Sequence, residues 1–280
     1  MQISFIGAGK VGVSLGKYFK EKGRKVGGYY SLSPESAAWA ATFTQTKQFI
    51  NLEQIMSSSD MIIFTVPDDR IADVWNEAKP YVKGKMIAHC SGIHSSNIFS
   101  DIERTGSIAY SIHPLCAISD RETSWQQLGD TLFTIEGDEK NISKIEDMFI
   151  EMGNRTRVIS TEDKSKYHAA ASLASNHMTA VFYMAQNLLL ECGFSETEAR
   201  EELYQLAKGN LKNIYKKGCV NSLTGPIERN DIDTVKMHLS ALDVEQKAAY
   251  IANGKQLIEI ARKKNSDRNY EQLETLLVSQ

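Results

Sequence analysis

The first twelve residues constrain the fold of this chain more than any other segment. An apolar run at 2–6 leads into a glycine turn at 7–12 with the spacing G-x-G-x-x-G, and a helical pattern follows at 11–22. This order of strand, turn and helix is the one that binds the pyrophosphate of a dinucleotide. The free N–H groups at the start of the helix can bind phosphate. An ordinary strand-to-helix turn is the alternative. We predict that the phosphate-binding residues are Gly7, Ala8, Gly9, Lys10, Val11 and Gly12.

Strand and helix patterns alternate up to about residue 115, which is typical of a doubly wound parallel sheet. Two further strands, at 132–136 and 155–159, bracket a helix and are expected to extend the same sheet. We therefore predict an α/β fold with a Rossmann dinucleotide-binding domain at 1–160, followed by an all-α second domain at 161–280. The predicted strands are 2–6, 25–30, 47–50, 61–65, 86–89, 107–112, 132–136 and 155–159. The predicted helices are 11–22, 34–41, 52–57, 71–78, 96–104 and 142–152 in the first domain, and 163–191, 196–217 and 244–264 in the second.

Composition excludes several classes of function. The net charge of −3 argues against a nucleic-acid partner. No apolar run approaches the length of about 20 residues that spans a bilayer, and the chain begins with a strand and not with a signal peptide. The four cysteines form no C-x-x-C pair, so we expect free thiols and no metal site. These features predict a cytoplasmic protein that binds neither membrane nor nucleic acid.

The end of the second strand indicates which dinucleotide binds. Enzymes that prefer NAD carry an acidic residue there, which binds the ribose hydroxyls. This chain has Ser31, Leu32 and Ser33 instead, so a 2′-phosphate meets no repulsion and two hydroxyls are available. We predict NADP, in the form of NADPH, as cofactor in preference to NAD. Against this, Leu32 occupies a position where an arginine would be useful, and both serines have the alternative role of turn and cap residues.

The strand at 61–65 is followed by Val66, Pro67 and Asp68. We predict that Val66 and Pro67 line the cofactor and that Asp68 caps the next helix. Ser91, which follows the fifth strand, is expected to reach the cofactor as well.

Several short segments together resemble a known family. They are His89-Cys90-Ser91-Gly92, His113-Pro114-Leu115, Tyr167-His168-Ala169-Ala170-Ala171 and Leu223-Thr224-Gly225-Pro226. In this order they resemble a family of candidate NADP-dependent oxidoreductases that join a Rossmann-like domain to a C-terminal helical domain of unknown function. The layout is more distantly similar to β-hydroxyacid dehydrogenases, pyrroline-5-carboxylate reductase and ketopantoate reductase. The resemblance implies reduction of a small carbonyl or imine compound in an interdomain cleft.

The distant relatives also imply roles for individual residues. In β-hydroxyacid dehydrogenases a Ser-Gly pair after the fifth strand positions the substrate, and this pair matches Ser91-Gly92. Those enzymes place a lysine acid/base four residues before an asparagine that orients the substrate. The asparagine matches Asn176, but Ser172 stands where the lysine would be. This departure matters because reduction of a carbonyl or imine needs a proton donor, and serine alone is a poor acid.

Two histidines are candidates for the missing donor. His168, Ser172 and Asn176 are spaced i, i+4, i+8, so a regular helix places them on one face, with Lys164 one turn earlier. His168 could supply the proton, with Ser172 as relay and Asn176 orienting the substrate, because imidazole titrates near neutral pH. His113, just past the sixth strand, is the second candidate. For both histidines a purely structural role is the alternative.

The prediction for the whole chain is an NADP-dependent oxidoreductase of a small carbonyl or imine substrate. The alternative is a dinucleotide-binding sensor or scaffold with little turnover. Ser172 supports this alternative, because it stands where the related enzymes carry their acid/base lysine. The predicted helix 163–191 is apolar on more than one side. We therefore expect a homodimer formed through the helical domain.

Overall fold

A computed structural model describes residues 1–279 of the chain and contains two compact units, Met1–Ser175 and Asn176–Gln280. The first unit is built on one sheet of eight strands in the order β3-β2-β1-β4-β5-β6-β7-β8. The order of the first six is that of a Rossmann fold, which confirms the predicted fold class. The strands are β1 (Gln2–Ile6), β2 (Lys25–Tyr30), β3 (Lys47–Gln48), β4 (Met61–Phe64), β5 (Met86–His89), β6 (Ile108–Pro114), β7 (Leu132–Gly137) and β8 (Arg155–Val158).

The sheet departs from the predicted parallel arrangement at one place. β7 pairs with β6 antiparallel, whereas the other neighbouring strands pair in parallel. A parallel return requires a crossover element, usually an α-helix. The link from β6 to β7 contains only a short 3₁₀ helix, Ser124–Asp130, so the chain turns back beside β6.

The α-helices of the first unit cover both faces of the sheet, and each face buries its own apolar cluster. They are α1 (Lys10–Glu21), α2 (Pro34–Thr44), α3 (Leu52–Ser57), α4 (Ile71–Ala78), α5 (Ile142–Glu151) and α6 (Lys164–Ser172). The prediction of a helix at 96–104 is wrong. That segment forms two 3₁₀ turns, Ser96–Ile98 and Ile102–Thr105, and Asp101 between them has a φ of 56°, which no right-handed helix can contain.

The long helix predicted at 163–191 is not a continuous α-helix. α6 ends at Ser172, a π-helical turn occupies Leu173–His177, and α7 begins at Met178. A π-turn contains more residues per turn than an α-helix, so the regular i, i+4, i+8 spacing predicted for His168, Ser172 and Asn176 does not hold through it. Such turns are frequent at functional sites.

The second unit is all helical, as predicted. Its helices are α7 (Met178–Glu191), α8 (Glu196–Ser222, kinked at Gly218), α9 (Pro226–Arg229), α10 (Ile232–Ala241), α11 (Val244–Lys264) and α12 (Glu271–Val278). An apolar core forms among α9 to α12, with Ile227, Val235, Ile258 and Leu273 at its centre. None of the helices within residues 1–279 is both long and apolar enough to cross a membrane.

Candidate functional site

The glycine turn has the geometry that its spacing predicts. Gly7 has a φ of +112°, and a Cβ on it would lie 2.7 Å from the carbonyl carbon of Thr65. A Cβ on Gly12 would lie 2.5 Å from the carbonyl oxygen of Gly7, so α1 packs closely against the strand end. Gly9 is different, because a Cβ there would meet no atom of the described residues within 4 Å. The first and third glycines therefore allow close packing, and the second faces open space.

The start of α1 has unused hydrogen-bonding capacity. Gly9 is its N-cap residue, no side chain caps the described N-terminus, and no acidic residue occupies the first turn. Lys10 and Val11 are its first helical residues, and Lys10 is exposed. A pocket of about 220 Å³ lies beside this turn. Its lining includes Gly7, Ala8, Gly9, Tyr30, Ser31, Leu32, Thr65, Val66 and Pro67. These groups fit a phosphate-bearing ligand, because backbone N–H donors and a positive dipole end meet an open surface.

The serines at the end of β2 form the turn into α2. Ser33 caps α2 by accepting a hydrogen bond from Ser36 N at 3.1 Å, and Ser31 Oγ accepts from Ser33 N at 3.3 Å. Ser33 Oγ also donates to the Glu35 carboxylate at 2.9 Å. A carboxylate therefore does lie near this turn, one residue into the helix and not at the strand end. Leu32 is 72% exposed at the mouth of the pocket.

The carboxylate of Asp68 holds Ser91, which lies two residues beyond β5. The sequence predicts another role for Asp68. The Ser91 hydroxyl donates to Asp68 Oδ2 at 2.8 Å and accepts from His94 N at 3.1 Å. The prediction that Asp68 caps a helix is wrong, since no side chain caps the 3₁₀ turn Asp68–Arg70 among the described residues. The Asp68 carboxylate instead fixes the Ser91 hydroxyl at the carboxyl edge of the sheet.

His89 fixes the backbone of the same loop. Its Nδ1 accepts a hydrogen bond from Ser91 N at 3.1 Å, and its Nε2 lies 3.1 Å from the carbonyl oxygen of Ser95. Because an N–H can only donate and a carbonyl can only accept, the proton of this imidazole is on Nε2. Burial is the main cause that lowers the pKa of His89 to about 3, and the positive charge of Lys164 adds to the effect. His89 is therefore neutral at physiological pH.

Lys164, at the start of α6, is an ammonium group buried behind the Ser91 loop. Its Nζ donates to the carbonyl oxygen of Ser91 at 2.9 Å and to Ser111 Oγ at 2.5 Å, and the residue is only 2% exposed. Burial lowers the pKa of Lys164 to about 8, against the opposing influence of Glu136 and Asp68. Lys164 shared the predicted helix face of His168, and this was the only sequence signal for its position.

A buried carboxylate joins the same loop to the residues before α6. Glu136 accepts hydrogen bonds from Ser96 N at 2.7 Å and from Ser96 Oγ and Thr161 Oγ1 at 2.9 Å each. Sequence reasoning missed this residue, because its partners Ser96 and Thr161 lie 40 and 25 residues away along the chain.

His113 and His168 lie together beside Gly92. Their ring centroids are 6.2 Å apart and the rings are nearly perpendicular. A Cβ on Gly92 would lie 2.4 Å from His168 Cδ2 and 3.0 Å from His113 Nε2. Tyr167, which sequence reasoning also missed, places its hydroxyl 2.7 Å from His113 Nδ1. Burial is the main cause that lowers the pKa of His113 to about 4, and the neighbouring Lys164 and His168 lower it further.

The remaining predicted residues lie further along the chain. Ser172 is the half-buried last residue of α6, and Asn176 lies in the π-turn as the first residue of the second unit. Their relay and orienting roles stay predictions. Within residues 1–279, no group of three or more His, Cys, Asp or Glu side chains could hold a metal ion.

Two family models match this chain. Residues 1–114 match a Rossmann-like domain, and residues 131–257 match a domain of unknown function, DUF2520. This domain pair confirms the predicted family resemblance. Among curated proteins, none matches the chain.

Solved structures share the fold over nearly the full length. Protein TM1727 from Thermotoga maritima is 26% identical, with 94% of this chain and 99% of that chain covered and a TM-score of 0.73. Protein BF3122 from Bacteroides fragilis, described as a candidate NADP oxidoreductase, is 18% identical, with coverages of 95% and 98% and a TM-score of 0.72. A Plasmodium falciparum pyrroline carboxylate reductase with NADP bound is 15% identical, with coverages of 95% and 97% and a TM-score of 0.61. At such identities the last two likenesses concern the fold alone.

Proposed function

This chain belongs to the family that joins a Rossmann-like domain to a DUF2520 domain, and from that premise we propose that it is an NADP-dependent reductase of a small carbonyl or imine compound. One juxtaposition carries the proposal. The glycine turn follows β1, Ser91 and Gly92 follow β5, and His113 lies at the end of β6. These strands run parallel, so all of these residues lie at the carboxyl edge of the sheet. Dinucleotides and their substrates bind at this edge in doubly wound folds.

The described residues supply the groups that such a reaction needs. NADPH, when bound, supplies a hydride. Residues 7–12 hold its pyrophosphate through backbone N–H groups at the start of α1. The Ser91 hydroxyl, fixed by Asp68, positions the substrate next to Gly92, against which the two histidine rings pack. His168 gives the proton that completes reduction, because the low pKa of His113 removes that residue as an acid at neutral pH.

NADP is favoured over NAD by the composition of the β2 end. Ser31 and Leu32 line the pocket without an acid at the strand tip. The Ser31 hydroxyl is a donor that a 2′-phosphate can use, whereas the Ser33 hydroxyl donates to Glu35. The NADP in the Plasmodium reductase, which shares this fold, is consistent with the same choice.

A second copy of the chain is proposed to cover two helices of the second unit. No residue within α7 is buried, and only Ala199 is buried in the 27 residues of α8. Leu206 is 72% exposed, and a groove of about 850 Å³ is lined by Val181, Phe182, Leu203 and Leu257. Helices of this kind gain their stability from packing an apolar face. Light scattering at micromolar concentration should give a dimer mass, and a monomer mass would contradict this part of the proposal.

NADPH oxidation followed at 340 nm, with panels of small ketones, aldehydes and cyclic imines, tests the reductase. We expect turnover with at least one panel and a loss of about 100-fold in kcat for His168→Ala, within the range of general acid catalysis. Lys166→Ala, at an exposed position on the same helix, is the control. Tight NADPH binding without turnover on any panel would favour the sensor or scaffold instead.

A further inference from the structure

The hydrogen bond between Tyr167 and His113 determines where the imidazole carries its proton. The phenol oxygen lies 2.7 Å from Nδ1, and the rings meet edge to face at 84°. The Thr134 hydroxyl donates elsewhere, to the carbonyl oxygen of His113 at 3.4 Å. A phenol, with an ordinary pKa of about 10, is a far stronger acid than a neutral imidazole N–H, so Tyr167 is the donor in this pair. A neutral His113 therefore carries its single proton on Nε2.

The Nε2 atom of His113 faces the side where a substrate would bind. A Cβ on Gly92 would be 3.0 Å from it, so the ring packs against the Gly92 backbone. Nε2 is not among the described buried polar atoms that lack a partner, so solvent can reach it. No group within residues 1–279 accepts a hydrogen bond from Nε2, whereas both nitrogens of His89 have backbone partners. His113 therefore presents an N–H donor that the protein itself does not use.

The groups around His113 keep it neutral. Lys164, Tyr167 and His168 face it from α6, His89 from β5 and Thr134 from β7. None of these five groups is an anion at neutral pH, and one is a buried cation. Burial and the Lys164 charge hold the pKa of His113 near 4. At neutral pH the imidazole donates a hydrogen bond but is not a source of protons.

We infer that this site selects carbonyl compounds over imines, because the Nε2–H of His113 is aimed at an oxygen that becomes negative. This inference rests on the proposed reductase function and specifies its substrate class. The carbonyl carbon accepts the hydride of NADPH, and the π-electron pair of the C=O bond moves to the oxygen. That oxygen takes a proton from His168, so the products are an alcohol and NADP⁺. A fixed donor at the developing oxyanion is worth about 10²–10³ in kcat.

An imine does not profit from this donor. The reactive form of an imine is the protonated iminium, whose nitrogen carries a hydrogen and has no lone pair to accept a bond. The Nε2–H would face a positive charge, and charge on the substrate disappears during the reaction. A site for iminium ions is better served by a carboxylate, and none acts on His113 within residues 1–279.

Cyclopentanone and 1-pyrroline, five-membered rings with C=O and C=N, make a matched pair of probes. We expect the kcat/KM of the wild-type enzyme for the ketone to exceed that for the imine by at least about tenfold. His113→Phe should lower ketone reduction by about 100-fold, and at least about tenfold more than imine reduction. His113→Gln keeps an amide N–H near the Nε2 position, and ketone reduction should recover to within about tenfold of the wild type.

Nitrogen-15 NMR of the imidazole tests the tautomer without any substrate or cofactor. The wild-type protein at pH 7 should show a neutral His113 with its proton on Nε2. Tyr167→Phe should mix the two tautomers, because the phenol no longer donates to Nδ1. A proton on Nδ1, or an imidazolium at pH 7, would overturn the inference.

The outcomes separate this inference from the proposed function. Reduction of the imine without reduction of the ketone overturns the preference for carbonyls and leaves an NADP-dependent reductase. Equal losses on both probes in His113→Phe also overturn it. No NADPH oxidation with any carbonyl or imine contradicts the reductase itself.

Discussion

The Lys164 ammonium donates a hydrogen bond to the carbonyl oxygen of Ser91 at 2.9 Å, although 73 residues separate the two in sequence. The same nitrogen donates to Ser111 Oγ, whose hydroxyl also reaches the Ser91 carbonyl oxygen at 3.2 Å. These contacts fix the start of α6 against the loop after β5. Because α6 carries Tyr167 and His168, the buried Lys164 ammonium helps to set where these two residues lie relative to His113.

Replacing this cation should raise the pKa of His113. In Lys164→Met the positive charge that opposes protonation of His113 is lost, so its pKa should move from about 4 towards 6.5. Lys166→Met, 88% exposed on the same helix, is the control and should leave this pKa unchanged. An NMR titration of the imidazole measures both. An unchanged or lowered pKa of His113 in Lys164→Met would contradict the assignment.

The Asp68 carboxylate should matter for turnover more than for stability. In Asp68→Ala the Ser91 hydroxyl loses its acceptor and is free to rotate, so we expect kcat/KM to fall by about tenfold. The Asp68 side chain is exposed, and the free energy of unfolding should change by less than about 0.5 kcal/mol. Asp69→Ala, at the neighbouring exposed position, should affect neither quantity. A kcat/KM for Asp68→Ala equal to the wild-type value would rule out this role.

Adding one methyl group at Gly92 should displace the His168 ring from its position in the site. The Cβ of Gly92→Ala would lie 2.4 Å from His168 Cδ2, so the ring must move. A misplacement of this size can cost about 100-fold in kcat. NADPH affinity, measured by fluorescence titration, should stay within about twofold. Gly129→Ala, where a Cβ meets no described atom within 4 Å, is the control. Wild-type turnover in Gly92→Ala would contradict the role of His168 as proton donor.

The buried histidines should make the fold sensitive to acid. His89 and His113 have pKa values of about 3 and 4 in the fold against 6.5 when unfolded, so below pH 6.5 the unfolded chain binds more protons. The free energy of unfolding should therefore decrease as pH falls from 6.5, by about 2–3 kcal/mol per histidine at pH 4.5. His113→Gln should reduce this loss, whereas His177→Gln, at an exposed position, should not. Denaturant unfolding at pH 7 and pH 4.5 measures the difference, and equal losses in all three proteins would refute the explanation.

Local patterns in the sequence were sufficient to predict most of the first unit. The glycine turn, the apolar strands and the cap at Ser33 depend on neighbouring residues, and the structure has them within a few positions of the prediction. The direction of a strand in the sheet and the contacts between residues far apart in sequence could not be predicted in this way. The antiparallel pairing of β7 depends on what the link from β6 contains, and the π-turn at Leu173–His177 has no compositional signal.

The same distinction applies to the site. His113, His168 and Ser91 were predicted from motifs and helix spacing, and the structure brings them together around Gly92 and the loop after β5. Asp68, Glu136 and Lys164 act on that loop from 23, 40 and 73 residues away along the chain. A sequence shows their residue types but not that tertiary folding buries or joins them. The tautomer of His113 could be assigned only from the position of the Tyr167 hydroxyl in the structure.

Calorimetric titration of NADPH into the wild-type protein and Gly9→Ala tests the dinucleotide site most directly. A Cβ at Gly9 touches no described atom within 4 Å, and its φ of −79° suits alanine, so both proteins should unfold at the same temperature. The account predicts that the wild type binds NADPH and that Gly9→Ala binds it at least about tenfold more weakly, because the methyl group occupies the approach of the pyrophosphate. Equal NADPH affinity in the two proteins, or no binding of NADPH to the wild type at millimolar concentration, would contradict it.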